Sequence, residues 1–185
     1  MSETHEYFNP LLRGDSGALK RALYKSMGFD DEALSRPIIA VVNSHTTATP
    51  GHYNLNELTQ QVQLGIESAG GTAMVFGTIA PCDGIAEGHD GMRYILPSRD
   101  LIASSVECMV RAHKFDGIVM LGSCDKIVPG LLMAAARLDI PALLLSGGPM
   151  LPAVYGGKHY DGNIVTEAVG WKQRGGISED EFKRI

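Results

Sequence analysis

The 185 residues carry 16 Lys and Arg against 21 Asp and Glu, a formal charge of -5, with 44% hydrophobic and 6% aromatic residues. That length supports one sizeable core, and basic residues that form no cluster exclude a phosphate backbone as partner. Three cysteines, Cys82, Cys108 and Cys124, are odd in number and lack CxxC spacing, which excludes a disulfide framework or a self-contained zinc site and leaves reduced thiols or metal ligands.

Met1 to Pro10 hold Glu3, His5 and Glu6 and no apolar run, so the reading expects neither signal peptide nor membrane span, and a cytoplasmic protein. Leu19, Leu23 and Met27 recur every fourth residue before Gly28, predicting a short helix with these three on its apolar face. Arg13-Gly14-Asp15 reads as the solvated lead-in to that helix and not as an adhesion motif. Pro37 to Asn43 is a continuous apolar run of strand length, the pattern of a strand buried on both faces of a parallel sheet. After a polar loop, Leu55, Leu58, Val62 and Ile66 mark a helical face closed by Gly70-Gly71. Thr72 to Ile79 supplies a second strand. A helix starting near Ser98 follows, with Leu101, Ile102, Val106, Met109 and Val110 apolar.

Gly117 to Leu121 makes a third strand, Leu131 to Leu138 the next helix, and Pro141 to Leu145 a fourth strand. Ile177 to Ile185 is a capped helical start without a stop signal, which reads as a chain cut and not finished. Alternating strands and helices predict an α/β fold: a doubly wound, mainly parallel sheet with flanking helices, preceded by a helical lead-in over 1–36 and filling 37–185.

Ligands of such a sheet bind outside the carboxyl ends of its strands, which singles out the loops Asn43 to Gly51, Ala80 to Pro97, Ser123 to Gly130 and Ser146 to Gly162. The second is long and carries Cys82, Asp83, Glu87, His89, Asp90 and Arg93. Neither GxxxxGK[ST] nor GxGxxG occurs, and Gly147-Gly148 reads as a plain turn. Cys108, between apolar neighbours, reads as a partly buried helix position without a role. Cys124-Asp125-Lys126 is different, because it sets a soft ligand, a hard ligand and an amine side by side at a strand end. Thiolate suits iron or zinc, and carboxylate suits Mg²⁺. Asp83 comes from the neighbouring crevice loop, and two carboxylates in one cleft repel unless a cation such as Mg²⁺ lies between them.

These stretches resemble one family. Val42-Asn43-Ser44, Pro50-Gly51-His52 with Leu55, Asp83-Gly84-Ile85-Ala86 with Gly88-His89 and Gly91-Met92, Leu96-Pro97-Ser98-Arg99, Cys124-Asp125-Lys126 with Pro129-Gly130, Met133 to Leu138, and Ser146 to Met150 run in the order of the dihydroxy-acid/6-phosphogluconate dehydratases. The chain resembles the N-terminal part of that family from about residue 37 onward, and Pro-Gly-His with Leu-Pro-Ser-Arg is most similar to its dihydroxy-acid branch.

The resemblance implies a lyase of branched-chain amino-acid biosynthesis, on the path to valine and isoleucine. It would remove water from a 2,3-dihydroxy acid of the 2,3-dihydroxyisovalerate type, and a sugar-acid or 6-phosphogluconate substrate is the alternative. It also implies that Cys124 ligates an iron-sulfur cluster, that Asp83 and Asp125 ligate Mg²⁺, and that Lys126 binds the same ion as a carbamate. A homodimer of the full-length enzyme is implied as well. A further cluster cysteine, a further Mg²⁺ carboxylate and the serine proposed as base follow Ile185 in the family, so these residues alone should be inactive. One departure stands out. A [2Fe-2S] branch has cysteine where this chain has Gly51, which leaves the cluster as [2Fe-2S] or [4Fe-4S] and makes Cys82 a candidate substitute ligand. Outside the enzymes, the alternative is a non-catalytic acid- or metal-binding module.

Overall fold

The elements follow the predicted order. In the computed structural model, which describes residues 7–185, the lead-in forms helices α1 (Ala18–Ser26) and α2 (Asp31–Ser35). Strand β1 (Ile38–Asn43) comes next, then helix α3 (Leu55–Ser68) and strand β2 (Thr72–Gly77). The long crevice loop holds the one-turn helix α4 (Asp83–Ala86), and α5 (Ile95–His113), β3 (Gly117–Gly122), α6 (Ile127–Leu138) and β4 (Ala142–Ser146) complete the layers. Among the described residues, no helix is long and apolar enough to cross a membrane. The described residues form two compact units, one ending at Gly148 and one beginning at Pro149.

In the first unit all strand pairings are parallel, in the order β2-β1-β3-β4. Side chains alternate faces along a strand, and β1 shows the result. Ile38, Ala40 and Val42 join Ile102, Val106, Val110, Ile127, Leu131 and Ala134 from α5 and α6 in the larger core cluster. Val41 faces the other way, with Leu55 and, from α3, Leu58, Val62 and Ile66. The fold is therefore a three-layer, doubly wound α/β sandwich, as the sequence predicts. The lead-in belongs to it through Leu12, Tyr24 and Leu34. Buried Asn9 ties the lead-in down by donating to the Lys114 carbonyl at 2.7 Å.

Helices α5 and α6 pack closely because Gly130 has no side chain. A Cβ there would stand 2.8 Å from the Arg99 carbonyl oxygen and 3.0 Å from the Ile102 Cβ. Helix α6 also starts earlier than its apolar run suggests, with Pro129 in its first turn, where a missing N–H costs no hydrogen bond.

The structure corrects several local expectations. Leu19, Leu23 and Met27 do not face the core and are 71%, 58% and 64% exposed. Helix α1 is held instead by buried Tyr24, which bonds to His113 Nδ1 at 3.2 Å, and by Arg21, which donates to the Leu12 and Gly14 carbonyls. A four-residue spacing tells which residues share a face, not which face meets the core. Helix α5 begins at Ile95, and Ser98 is buried inside its first turns, donating to the Ile95 carbonyl. Cys108 is exposed on that helix. Strand β4 is a sheet edge, and Leu143 in its apolar run is 60% exposed.

The second unit contains the hairpin β5 (Ala153–Tyr155) and β6 (Lys158–Tyr160), then helices α7 (Asn163–Gln173) and α8 (Glu179–Phe182). The hairpin turns through Gly156 and Gly157, both at positive φ, as a two-residue hairpin turn requires. Helix α8 starts at a capping box between Ser178 and Glu181, and Lys172 of α7 pairs with Glu179 at 2.6 Å.

Candidate metal centre

Strand β1 lies between β2 and β3, so the connections leaving β1 and β3 diverge to opposite sides of the sheet. The crevice they open is where ligands of this strand order bind. Three loops meet at this edge, and buried hydrogen bonds fix them to one another. From the loop after β1, Thr49 Oγ1 donates to the Ala80 carbonyl beyond β2 at 2.5 Å, and Ser44 Oγ donates to the Leu121 carbonyl of β3 at 2.6 Å.

His52 completes this framework with both ring nitrogens. The Ser123 N–H donates to its Nε2 at 3.1 Å, which places the ring proton on Nδ1, and Nδ1 donates to the Ser44 carbonyl at 2.8 Å. The ring is fully buried. Sequence reasoning gives His52 no role. Nothing in composition or spacing separates it from part-exposed His45 in the same loop, and only the hydrogen-bond accounting of a closed crevice singles it out.

Ser123 is held on its other side too, its Oγ accepting from the Gly147 N–H at 3.1 Å. The Gly148 N–H is likewise taken up by Ser146 Oγ, so both amides have partners within the chain. Directly after Ser123, Cys124 takes a left-handed backbone with φ of 68°. For a residue with a Cβ this costs roughly 1–2 kcal/mol. Strain of this kind persists where the surroundings enforce it, and it gathers at functional sites.

That turn brings the predicted ligands together. One ligand atom each from Cys82, Asp83 and Cys124 lies within 4.8 Å of the others, the one such group among the described residues. Cys82 precedes the first residue of α4, and Asp83 is that first residue. Burial raises the pKa of the Cys124 thiol, and the adjacent Cys82 and Asp83 raise it further. Asp125 and Lys126 form a short side-chain pair, and the Lys126 hydrogen bond and charge hold the Asp125 carboxyl below the usual range, with Asp83 nearby. The thiols of Cys82 and Cys124 are thus adjacent, and so are the carboxylates of Asp83 and Asp125. This donor set fits cations better than it fits itself, because crowding anions raises the cost of each, and a metal ion removes that cost.

The other titratable groups of the long loop stay local. His89 Nδ1 accepts from the Gly91 N–H, two residues on, and its Nε2 lies 3.1 Å from the Ile85 carbonyl. Beside the donor set, at the carboxyl ends of β1 and β2, lies an open cleft of about 620 Å³. Thr78, Ile79, Pro81, Tyr94, Pro97 and Leu101 form most of its largely apolar wall.

Residues 36–185 match the family model described as dihydroxy-acid/6-phosphogluconate dehydratase N-terminal. The chain is 54% identical over 173 residues to a protein of Pyrococcus abyssi named dihydroxy-acid dehydratase, covering 94% of this chain and 31% of that protein. Proteins of the same name from Halothermothrix orenii and Methanococcus vannielii are 51% and 52% identical over 95% and 89% of this chain, and 32% and 30% of their own lengths. The chain thus spans about a third of the length of these relatives. With most of its length matched to one family model, and with relatives sharing half their residues across nearly all of it, the chain belongs to the dihydroxy-acid/6-phosphogluconate dehydratase family.

Proposed function

We propose that this chain is the N-terminal part of a dihydroxy-acid dehydratase, a hydro-lyase that converts a 2,3-dihydroxy acid of the 2,3-dihydroxyisovalerate type to its 2-keto acid in branched-chain amino-acid biosynthesis. The observation that carries the reading is the convergence of Cys82, Asp83 and Cys124, the last followed directly by Asp125 and Lys126, from two crevice loops at one sheet edge. In this reading Cys124 holds an iron-sulfur cluster, and Asp83, Asp125 and the carbamate of Lys126 hold Mg²⁺. When bound, these groups supply Lewis acidity toward the departing 3-hydroxyl and toward the carboxylate and 2-hydroxyl.

The chain's own residues prepare that chemistry. The Lys126 ammonium gives up one proton, and the resulting amine adds to the carbon of CO₂ and releases a second, which exchanges a positive donor for an anionic oxygen ligand suited to Mg²⁺. Asp125, freed of its cationic partner, would then be available with Asp83 to hold Mg²⁺. The buried ties through Ser44, His52 and Thr49 keep the ligands in place without reorganisation. The adjoining apolar cleft gives room for a branched alkyl chain. The base that takes the C2 proton is, on the family resemblance, a serine beyond Ile185. A homodimer in the cytoplasm belongs to the same reading, and the exposed Leu19, Leu23 and Met27 offer apolar surface of the kind a dimer buries.

The test is turnover by the full-length enzyme, loaded with its metals, on 2,3-dihydroxyisovalerate, gluconate and 6-phosphogluconate. Conversion of the first supports the proposal, and conversion of a sugar acid alone replaces it with the sugar-acid reading. If none reacts, a non-catalytic acid- or metal-binding module remains. Asp125→Asn should lower Mg²⁺-dependent turnover by more than the roughly 10–100-fold typical of losing an outer-shell partner. Unchanged turnover would remove Asp125 from the metal site.

A further inference from the structure

Cys82-Asp83 at the end of β2 repeats the pattern of Cys124-Asp125 at the end of β3. Each dipeptide sets a soft ligand next to a hard one. The structure brings the two segments together at the sheet edge, with Cys82 and Asp83 beside Cys124. Cys82, Asp83 and Cys124 offer ligand atoms within 4.8 Å of one another. Two sulfurs each about 2.3 Å from one tetrahedral metal stand roughly 3.8 Å apart, so the Cys82 and Cys124 sulfurs are close enough to share an iron.

Gly51 lies on another flank of Cys124. A Cβ built at Gly51 would lie 3.4 Å from the Ser123 Cβ and 3.9 Å from Cys124 Sγ. Positions 51 and 82 therefore both flank Cys124, and of the two only position 82 carries sulfur in this chain. The third cysteine, Cys108, is exposed on α5 and takes no part in the group.

We propose that Cys82 is a second thiolate ligand of the iron-sulfur cluster held by Cys124. On ligation each thiol gives its proton to solvent and forms one iron–sulfur bond, with no change in oxidation state. The two Cys-Asp dipeptides then divide their labour in the same way, sulfur to iron and carboxylate to Mg²⁺. This inference rests on the cluster assignment made for Cys124 above.

The experiment is thiol footprinting of the full-length protein, purified anaerobically, with iodoacetamide before and after removal of iron by a chelator, read by mass spectrometry at each cysteine. Cys82 and Cys124 should both be protected in the loaded protein and both react once stripped, while Cys108 reacts in either state. A Cys82 that reacts equally in both states, with Cys124 protected, overturns the inference and leaves the cluster at Cys124 intact. Cys124 reacting in the iron-loaded protein overturns both. Shielding is separated from ligation by Cys82→Ala. The variant should lose iron to the chelator at least about tenfold faster and show an altered visible spectrum, with the melting temperature of the iron-stripped protein unchanged. Wild-type iron retention and spectrum would mean that Cys82 is only shielded, which also overturns the inference.

Discussion

His52→Ala is the sharpest test of the crevice framework, because the substitution touches none of the proposed ligands. It removes the acceptor of the Ser123 N–H and the donor to the Ser44 carbonyl. Two buried backbone groups then lose their partners, at about 1–3 kcal/mol each, and the missing ring leaves a void that adds to the cost. The two unpaired groups alone amount to about 2–6 kcal/mol, and the melting temperature should fall accordingly. Because Ser123 precedes the strained Cys124, the same variant should retain less iron. Thermal unfolding and iron content of the full-length protein read the two effects, and Tyr53→Ala at the exposed neighbour should change stability by no more than about 0.5 kcal/mol. A His52→Ala protein that melts within about 1 °C of the parent and keeps its iron would refute this reasoning.

Two further outcomes follow from the packing. Gly130→Ala presses a methyl group against the Arg99 carbonyl and Ile102 between α5 and α6, and should destabilise by roughly 1–3 kcal/mol in urea unfolding. Gly51→Ala meets nothing closer than 3.4 Å and should cost far less, so equal losses would contradict the difference in space between the two positions. Burial raises the Tyr24 hydroxyl pKa, so its stabilising contribution is present below the unfolded value of about 10 and is lost as pH rises through the folded one. Urea unfolding between about pH 9 and pH 11 should therefore show a decline that Tyr24→Phe makes shallower, and an identical slope in the variant would exclude Tyr24 as its source.

The layer order and the soft and hard character of the ligands are legible in the sequence. The continuous apolar run Pro37 to Asn43 announces a buried parallel strand, and the observed strand, Ile38–Asn43, starts one residue later. The order β2-β1-β3-β4 is not readable, but the edge that carries the ligands is, because that rule holds for any parallel order. Faces are harder. Leu19, Leu23 and Met27 have helical spacing yet point outward, since Tyr24, through His113 far along the chain, and Arg21, through the preceding turn, set the choice. Helix α7 and the β5–β6 hairpin escape the pattern, because Gly156-Gly157 and short three-residue strands give too little periodicity to separate from a turn. His52 and Ser123 escape it for a related reason: their role is to satisfy backbone groups of loops brought together only by the fold.

The strain at Cys124 connects these observations. A left-handed backbone at a cysteine would relax if its neighbours allowed it, and here they do not. Ser123 is fixed by His52 on one side and Gly147 on the other, and the Val128 N–H donates back to the Cys124 carbonyl at 3.3 Å. With the backbone pinned before and after it, the thiol is directed toward Cys82 and Asp83 whether or not a metal is bound. The hydrogen bond from Thr49 to Ala80 secures the chain just ahead of Cys82 in turn. Each ligand loop is therefore anchored within a few residues of its thiol. On the proposed ligation, the free energy of binding iron would then not have to order the loops and could be spent on overcoming the repulsion among the anionic donors.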